Sequence, residues 1–276
     1  MGTEPGPAAV GDRPVKRDVL GVLVDAVDHD AAVRRVLGAA RERRPLAGTA
    51  LAVHGLMCAV RDPALRSRIN ALDLVTADGQ PVRWALNWLH GARLADWVSG
   101  PEVAADLTRG LAAEGLPVYL YGATAATVAD LATALRQHAP GLVVAGAEPS
   151  RFRTAAPGEL AATADRIVRS GARAVLVGLG CPRQEVLVHA LRPLLPMPAL
   201  AVGAAFDFHA GRLPRAPRWM RRRGLSWLWR LALEPRRLWR RYLLLNPLFL
   251  ALLAVQRARL WRPAPPPPPR PLAVPV

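Results

Sequence analysis

Between Pro117 and Phe206 the chain alternates short apolar runs with longer stretches whose apolar residues recur every three or four positions. Residues 117–122 (PVYLYG), 141–147 (GLVVAGA), 172–180 (ARAVLVGLG) and 199–206 (ALAVGAAF) are short and almost uniformly apolar, which predicts strands buried on both faces. Residues 123–139, 158–171 and 181–195 carry helical spacing; in the first of them Val128, Leu131 and Leu135 share a face. Strand and helix in regular alternation predict βαβ units. The fold class is α/β: a Rossmann-like parallel sheet with helices on both faces. Upstream, the same pattern predicts a strand over 19–23 and a helix over 30–43. A helix over 62–75, capped by Asp62 with Pro63 in its first turn, feeds a strand that ends at Asp78. The next helix carries Trp84 and Trp88.

Beyond Arg212 the pattern changes. Arg, Trp and Leu mix at helical spacing, with Trp227, Leu228 and Leu231 on one face and Leu238, Tyr242 and Leu245 extending it past Pro235. The run 242–255 (YLLLNPLFLALLAV) is too short, and too interrupted by Asn246-Pro247, to cross a bilayer. A basic helix with Trp and Leu on its other side is expected to lie in the membrane interface. These shifts divide the chain into a flexible leader (1–17), an α/β core (18–211), an Arg/Trp-rich helical appendage (212–262) and a Pro-rich disordered tail (263–276).

Charge sharpens the division. The formal net charge is +16, yet between Arg212 and Arg262 Glu234 is the one acidic residue, and five of the eight Trp fall there. Such a segment needs an anionic partner. Arg and Trp alone would also suit a nucleic acid, but the Leu runs need an apolar surface, so an anionic membrane is the expected partner and nucleic acid is not. The N-terminus lacks the basic-then-apolar order of an export signal, so no export is expected and the cytoplasm is the expected compartment. Cys58 and Cys181 stand far apart without zinc-ligand or CxxC spacing and read as small apolar residues in a reducing compartment. No second His stands at ligand spacing from His209, so no metal is expected.

Ligands of open α/β sheets bind beyond the carboxyl ends of the strands. Four turns fall there. Asp78 in "ADG" is either the residue that makes the turn or a base at the mouth of a pocket. Gly122 and Thr124 in "YGAT" suit approach of a phosphate, with Thr124 capping the next helix. In "VGLGCPRQE" a Gly-x-Gly turn precedes Arg183 and Gln184 in a first helical turn. In "VGAAFDFHAGR" Asp207 follows an apolar strand.

Taken together, "RDPALRSRINALDLVTADGQPVRWA", "VSGPEV", "VYLYGAT", "VLVGLGCPRQE", "VGAAFDFHAGRLPRAPRWM" and "GLSWLWRLALEPRRLWRRY" resemble the WecB/TagA/CpsF glycosyltransferases, glycosyltransferase family 26, in family order over roughly residues 19 to 245. The resemblance implies transfer of an N-acetylhexosamine-type sugar, N-acetylmannosamine-like, from a UDP-sugar donor to a polyprenyl-diphosphate-linked acceptor. Such transfer serves cell-surface polysaccharide or teichoic acid assembly, at the inner face of the plasma membrane, without a metal or other cofactor. It implies Asp78 as general base and Gln184 as an active-site glutamine. It places Asp207 near the nucleotide and Arg230, Arg237 and Arg240 on the diphosphate leaving group, and it allows a homo-oligomer. Ala50 and Ala52 stand where the family carries Thr and Asn. Trp97 stands where it carries Arg, with Arg93 a helical turn upstream as a substitute. These departures motivate an alternative, a UDP-sugar-binding relative that acts as a membrane-associated scaffold.

Overall fold

A computed structural model describes residues 15–217, 219–220, 223–261, 263, 265 and 273–276. The first ordered element is a hairpin, β1 (Lys16–Val19) and β2 (Val22–Asp25), joined by Leu20 and Gly21. Both turn residues have positive φ, the hand that matches strand twist in a two-residue hairpin. The expected single strand over 19–23 is thus two antiparallel ones. Lys16 and Arg17 belong to β1 rather than to a leader, and residues 1–14 lie outside the described residues.

The core sheet has six parallel strands: β3 (Leu46–Leu51), β4 (Leu74–Ala77), β5 (Val118–Gly122), β6 (Val144–Glu148), β7 (Ala174–Gly178) and β8 (Pro198–Ala201). Their order is β4-β3-β8-β7-β5-β6, so every carboxyl end opens on the same edge. Alternate residues feed opposite faces. Ala47, Val75, Tyr119, Val175 and Ala199 enter one apolar layer; Leu46, Leu74, Val118, Leu176 and Leu200 enter the other.

Helices cover both layers. α1 (His29–Arg41), α5 (Gly100–Ala113), α6 (Ala125–His138) and α9 (Ala205–His209) lie on one side. α2 (Val53–Arg61), α3 (Pro63–Asn70), α4 (Gln80–His90), α7 (Glu159–Arg169) and α8 (Arg183–Leu191) lie on the other with the hairpin. Asp62 caps α3 as expected, its carboxylate accepting from the Ala64 and Leu65 amides. The expected strand over 199–206 stops at Ala201. Gly203 takes positive φ, and residues from Ala205 turn helical, so Asp207 sits inside α9.

The appendage contains α10 (Ser226–Leu233) and α11 (Pro235–Arg257). Pro235 starts α11, but Asn246-Pro247 does not break it. A π-helical stretch, Arg240–Leu245, widens the turn just ahead of Pro247, where a proline ring would otherwise crowd the carbonyl four residues back. The helix therefore runs 23 residues and is long and apolar enough, by length and composition, to cross a bilayer, contrary to the expectation of an interrupted segment. Its far end is fastened to the core. Phe249 and Leu253 are buried in the layer shared with α2, α4 and the hairpin. Gln256 donates to Asp18 Oδ1 (2.7 Å) and accepts from the Leu20 amide (2.8 Å). Leu243, Leu244, Leu248 and Leu250 on the other side of the helix are exposed.

The last residues are not loose. Pro263 packs against Gly21, and Val274–Val276 run beside Arg153–Ala155. The Ala155 amide donates to Val274 O (2.7 Å), the Val276 amide donates to Arg153 O (3.0 Å), and Val276 is buried. Residues 264 and 266–272 of the expected disordered tail lie outside the described residues.

Candidate active site

Asp78 continues the last rung of the sheet: its amide donates to Leu51 O (3.1 Å). Gly79 follows with φ +86, and α4 begins at Gln80. The carboxylate therefore stands at the carboxyl edge between β4 and the start of a helix. It keeps a partial opening to solvent, yet protein closes around it. Removal from water raises its pKa from the ordinary carboxylate range to about 7; Arg230 opposes the rise and Glu102, in the first turn of α5, adds to it. A carboxyl group poised there is half-ionised at neutral pH, the setting a general base needs.

The appendage closes over this carboxylate. The turn at Gly224 comes down on Gln80, where an added Cβ would meet Gln80 Cγ at 2.7 Å. The Arg230 guanidinium lies 5.5 Å from the centroid of the Phe208 ring and 3.4 Å from Glu234 Oε2, with its Nε buried and without a hydrogen-bond partner. Arg237 bonds Glu234 at 2.7 Å. Burial pushes Asp207 upward, countered first by Arg237 and then by Arg230. Asp78, Asp207, Arg230 and Arg237 thus share one electrostatic environment.

Two further appendage residues join them. Burial raises the Tyr242 phenol, and its field includes Arg230, Arg241 and Asp78. Its ring meets Trp227 at 5.7 Å between centroids, tying α11 to α10. Arg241, half-buried, is lowered by burial and stands among Arg237, Tyr242 and Cys181. Arg240, in contrast, is exposed and lies 5.2 Å over the Trp239 ring.

Gln184 is almost fully buried, and both ends of its amide are used. Oε1 accepts from the Gly203 amide (3.1 Å) and Nε2 donates to Glu185 Oε1 (2.9 Å), which also accepts from Thr49 Oγ1 (2.9 Å). Glu185, itself raised by burial, was not singled out from the sequence. The network links β3, α8 and the turn after β8 beneath the site. Gly122 serves close strand packing, since a Cβ there would meet Gly178 O at 2.6 Å. Thr124 caps α6, accepting from the Thr127 amide (3.2 Å). Arg183 opens α8 and is exposed.

Arg93 is exposed in the loop after α4. That loop is latched to α4, Asn87 exchanging hydrogen bonds with Leu94. At Ala50 the core packs tightly. An added Cβ on Gly100 would sit 3.4 Å from the Ala50 methyl and 2.7 Å from Val202 O. The cysteines also depart from their sequence reading. Cys58 and Cys181 are both half-buried, meet each other and adjoin His54.

Over 201 residues the chain is 29% identical to the N-acetylglucosaminyldiphosphoundecaprenol N-acetyl-beta-D-mannosaminyltransferase of Bacillus spizizenii, a match covering 72% of this chain and 76% of that protein. The profile of one family matches residues 17–263, from the first strand of the hairpin through the appendage. A parallel α/β sheet, a carboxylate poised at its carboxyl edge and an arginine-bearing appendage over it thus accompany a sequence match along most of the chain, which belongs to the glycosyl transferase WecG/TagA/CpsF family.

Proposed function

We propose that this glycosyltransferase moves an N-acetylmannosamine-type sugar from a UDP-sugar to a polyprenyl-diphosphate-linked N-acetylglucosamine, with Asp78 as general base. The observation that carries the reading is the place of Asp78: a carboxyl at the carboxyl edge of the sheet, closed in by protein at the start of α4 and within the field of Arg230 from the appendage. The relative from Bacillus spizizenii is named for transfer to such an acceptor. In the reaction, Asp78 takes the proton of the acceptor hydroxyl as its oxygen attacks the anomeric carbon. The bond from that carbon to the diphosphate oxygen breaks, and UDP leaves with the electron pair. Arg230 and Arg237 offset the charge developing on the diphosphate, which gives protein cations the role a metal serves in other transferases.

Strand order supports the placement of a long donor. β5 lies four strands from β4, about 19 Å along the edge at ordinary strand spacing. A nucleotide near Gly122, Thr124 and Arg183 can therefore reach Asp78 only through its diphosphate and sugar. Gln184 acts as a positioning residue under this edge, holding the Gly203 turn. The leucines exposed on α11, with Trp227 and Trp239, suit peripheral attachment to the anionic inner face of the plasma membrane, where a polyprenyl acceptor resides.

The test is a transfer assay with full-length protein, UDP-N-acetylmannosamine and a short-chain polyprenyl-diphosphate-GlcNAc, with and without EDTA. UDP release that requires the lipid acceptor, survives EDTA and disappears in Asp78→Asn is the expected result. UDP binding without turnover in the wild type would favour the scaffold reading, which Ala50, packed against Gly100 where the family carries a polar residue, motivates.

A further inference from the structure

His54 and Cys58 are one turn apart on α2, so their side chains leave the same face of the helix. Cys181 reaches them from the turn between β7 and α8. One ring nitrogen and two sulfurs lie within 4.8 Å of one another, and His54 Nε2 stands 3.8 Å from Cys58 Sγ. With zinc–sulfur and zinc–nitrogen bonds of ordinary length, the edges of a tetrahedral site run to about 3.6–3.8 Å. The His54–Cys58 separation is already such an edge. The backbone is shaped to allow the approach: an added Cβ at Gly55 would stand 3.0 Å from Cys181 Sγ, so a glycine lets α2 descend onto the sulfur. A further polar group stands behind. Glu185 is buried beside Cys181 and holds the Gln184 amide and the Thr49 hydroxyl through Oε1.

We propose that His54, Cys58 and Cys181 form a binding site for a soft cation of the zinc class, separate from the sugar-transfer chemistry. Each cysteine enters as a thiolate, and any proton it held passes to solvent. Two thiolates balance the two charges of the cation, which leaves a neutral centre next to the Arg241 guanidinium. All three side chains are half-buried, so a solvent molecule can complete the tetrahedron from the open side. The bound cation staples α2 to the turn that opens α8, and through Arg241 it adjoins the appendage.

The test uses full-length, reduced protein titrated anaerobically with Co2+ and then with Zn2+. A thiolate-to-cobalt charge-transfer band with tetrahedral visible absorption, bleached by Zn2+, is expected. Cys58→Ser and Cys181→Ser should each weaken Co2+ binding at least about tenfold, and His54→Ala should retain the charge-transfer band at weaker affinity. Circular dichroism and thermal melting confirm that each variant is folded, and Cys181→Ala serves as a second variant should Cys181→Ser not fold. No thiolate band in the wild type, or an unchanged band in either cysteine variant, overturns the site. Ready oxidation of the two thiols to an intramolecular disulfide in protein that shows no band also overturns it, in favour of a redox pair.

Discussion

The two halves that meet at Asp78 are built differently. On the core side, Gln184, Glu185 and Thr49 are buried and joined by hydrogen bonds of 2.9–3.1 Å that pin the strand ends. On the appendage side, Arg230, Arg237 and Arg241 are half-buried or exposed, Arg230 and Arg237 share the carboxylate of Glu234, and all three sit on helices that show leucine and tryptophan to solvent. One half supplies a buried hydrogen-bonded frame, the other more exposed positive charge. The contrast separates two contributions: the core sets the position of the Asp78 carboxylate, and the appendage brings the Arg230 charge to it.

The comparison breaks first at Asp78. Asp78→Asn should lower kcat by roughly 10²–10⁴-fold in the transfer assay, the range for loss of a general base. It should also raise thermal stability at neutral pH. A raised carboxyl pKa means that the folded chain holds the neutral form better than the unfolded chain does. Stability from this group is therefore full below the ordinary carboxylate range and is lost as pH rises towards 7. Melting curves of wild type and variant across that window measure the difference.

Arg230→Met comes next, with kcat reduced by about 10²–10³-fold. Because Arg230 pulls the Asp78 pKa down, its loss should move the acid limb of the kcat/KM profile from near 7 to higher pH. Arg240→Met, on the outer side over Trp239, should leave both quantities nearly unchanged. Equal losses in the two variants would show that the appendage contributes charge in bulk and not through particular arginines.

Gln184→Leu probes the other half. It strands the Gly203 amide and removes a donor from Glu185, so it should cost roughly 1–3 kcal/mol in urea unfolding. The smallest effect is expected on the outer face of α11. Leu243→Asn with Leu244→Asn should weaken binding to anionic vesicles by about tenfold while unfolding free energy stays within about 0.5 kcal/mol of wild type. A large loss of stability would mean that these leucines pack on protein.

The central βαβ units were legible because β5 and β7 are buried on both faces and carry continuous apolar runs between glycines. Asp78, Asp207, Arg230 and Arg237 were singled out through motif order, and the fold sets both carboxylates in the field of Arg230, with Arg237 beside Asp207. What escaped has physical reasons. β3, LAGTAL, mixes Gly, Ala and Thr and lacks a clear period, and the hairpin turns at Leu-Gly rather than at Asn-Gly or Asp-Gly. Arg240 came from the motif resemblance alone; in the structure it is exposed over Trp239, while Arg241, one residue on in the π-helical stretch, is half-buried beside Tyr242 and Cys181. The cysteines meet through tertiary folding alone. The one local signal was His54 and Cys58 four residues apart on a helical face. The docked end of α11 also revises the notion of a separable appendage: Phe249, Leu253 and Gln256 are part of the core, and deleting them would open its apolar layer.

Arg230 and Tyr242 approach Asp78 from the same segment that presents leucine to the surroundings. The desolvation around Asp78 is therefore supplied jointly by two pieces of chain distant in sequence, so its raised pKa reports the docking of the appendage: titration in the ordinary carboxylate range would mark an appendage displaced from the sheet edge.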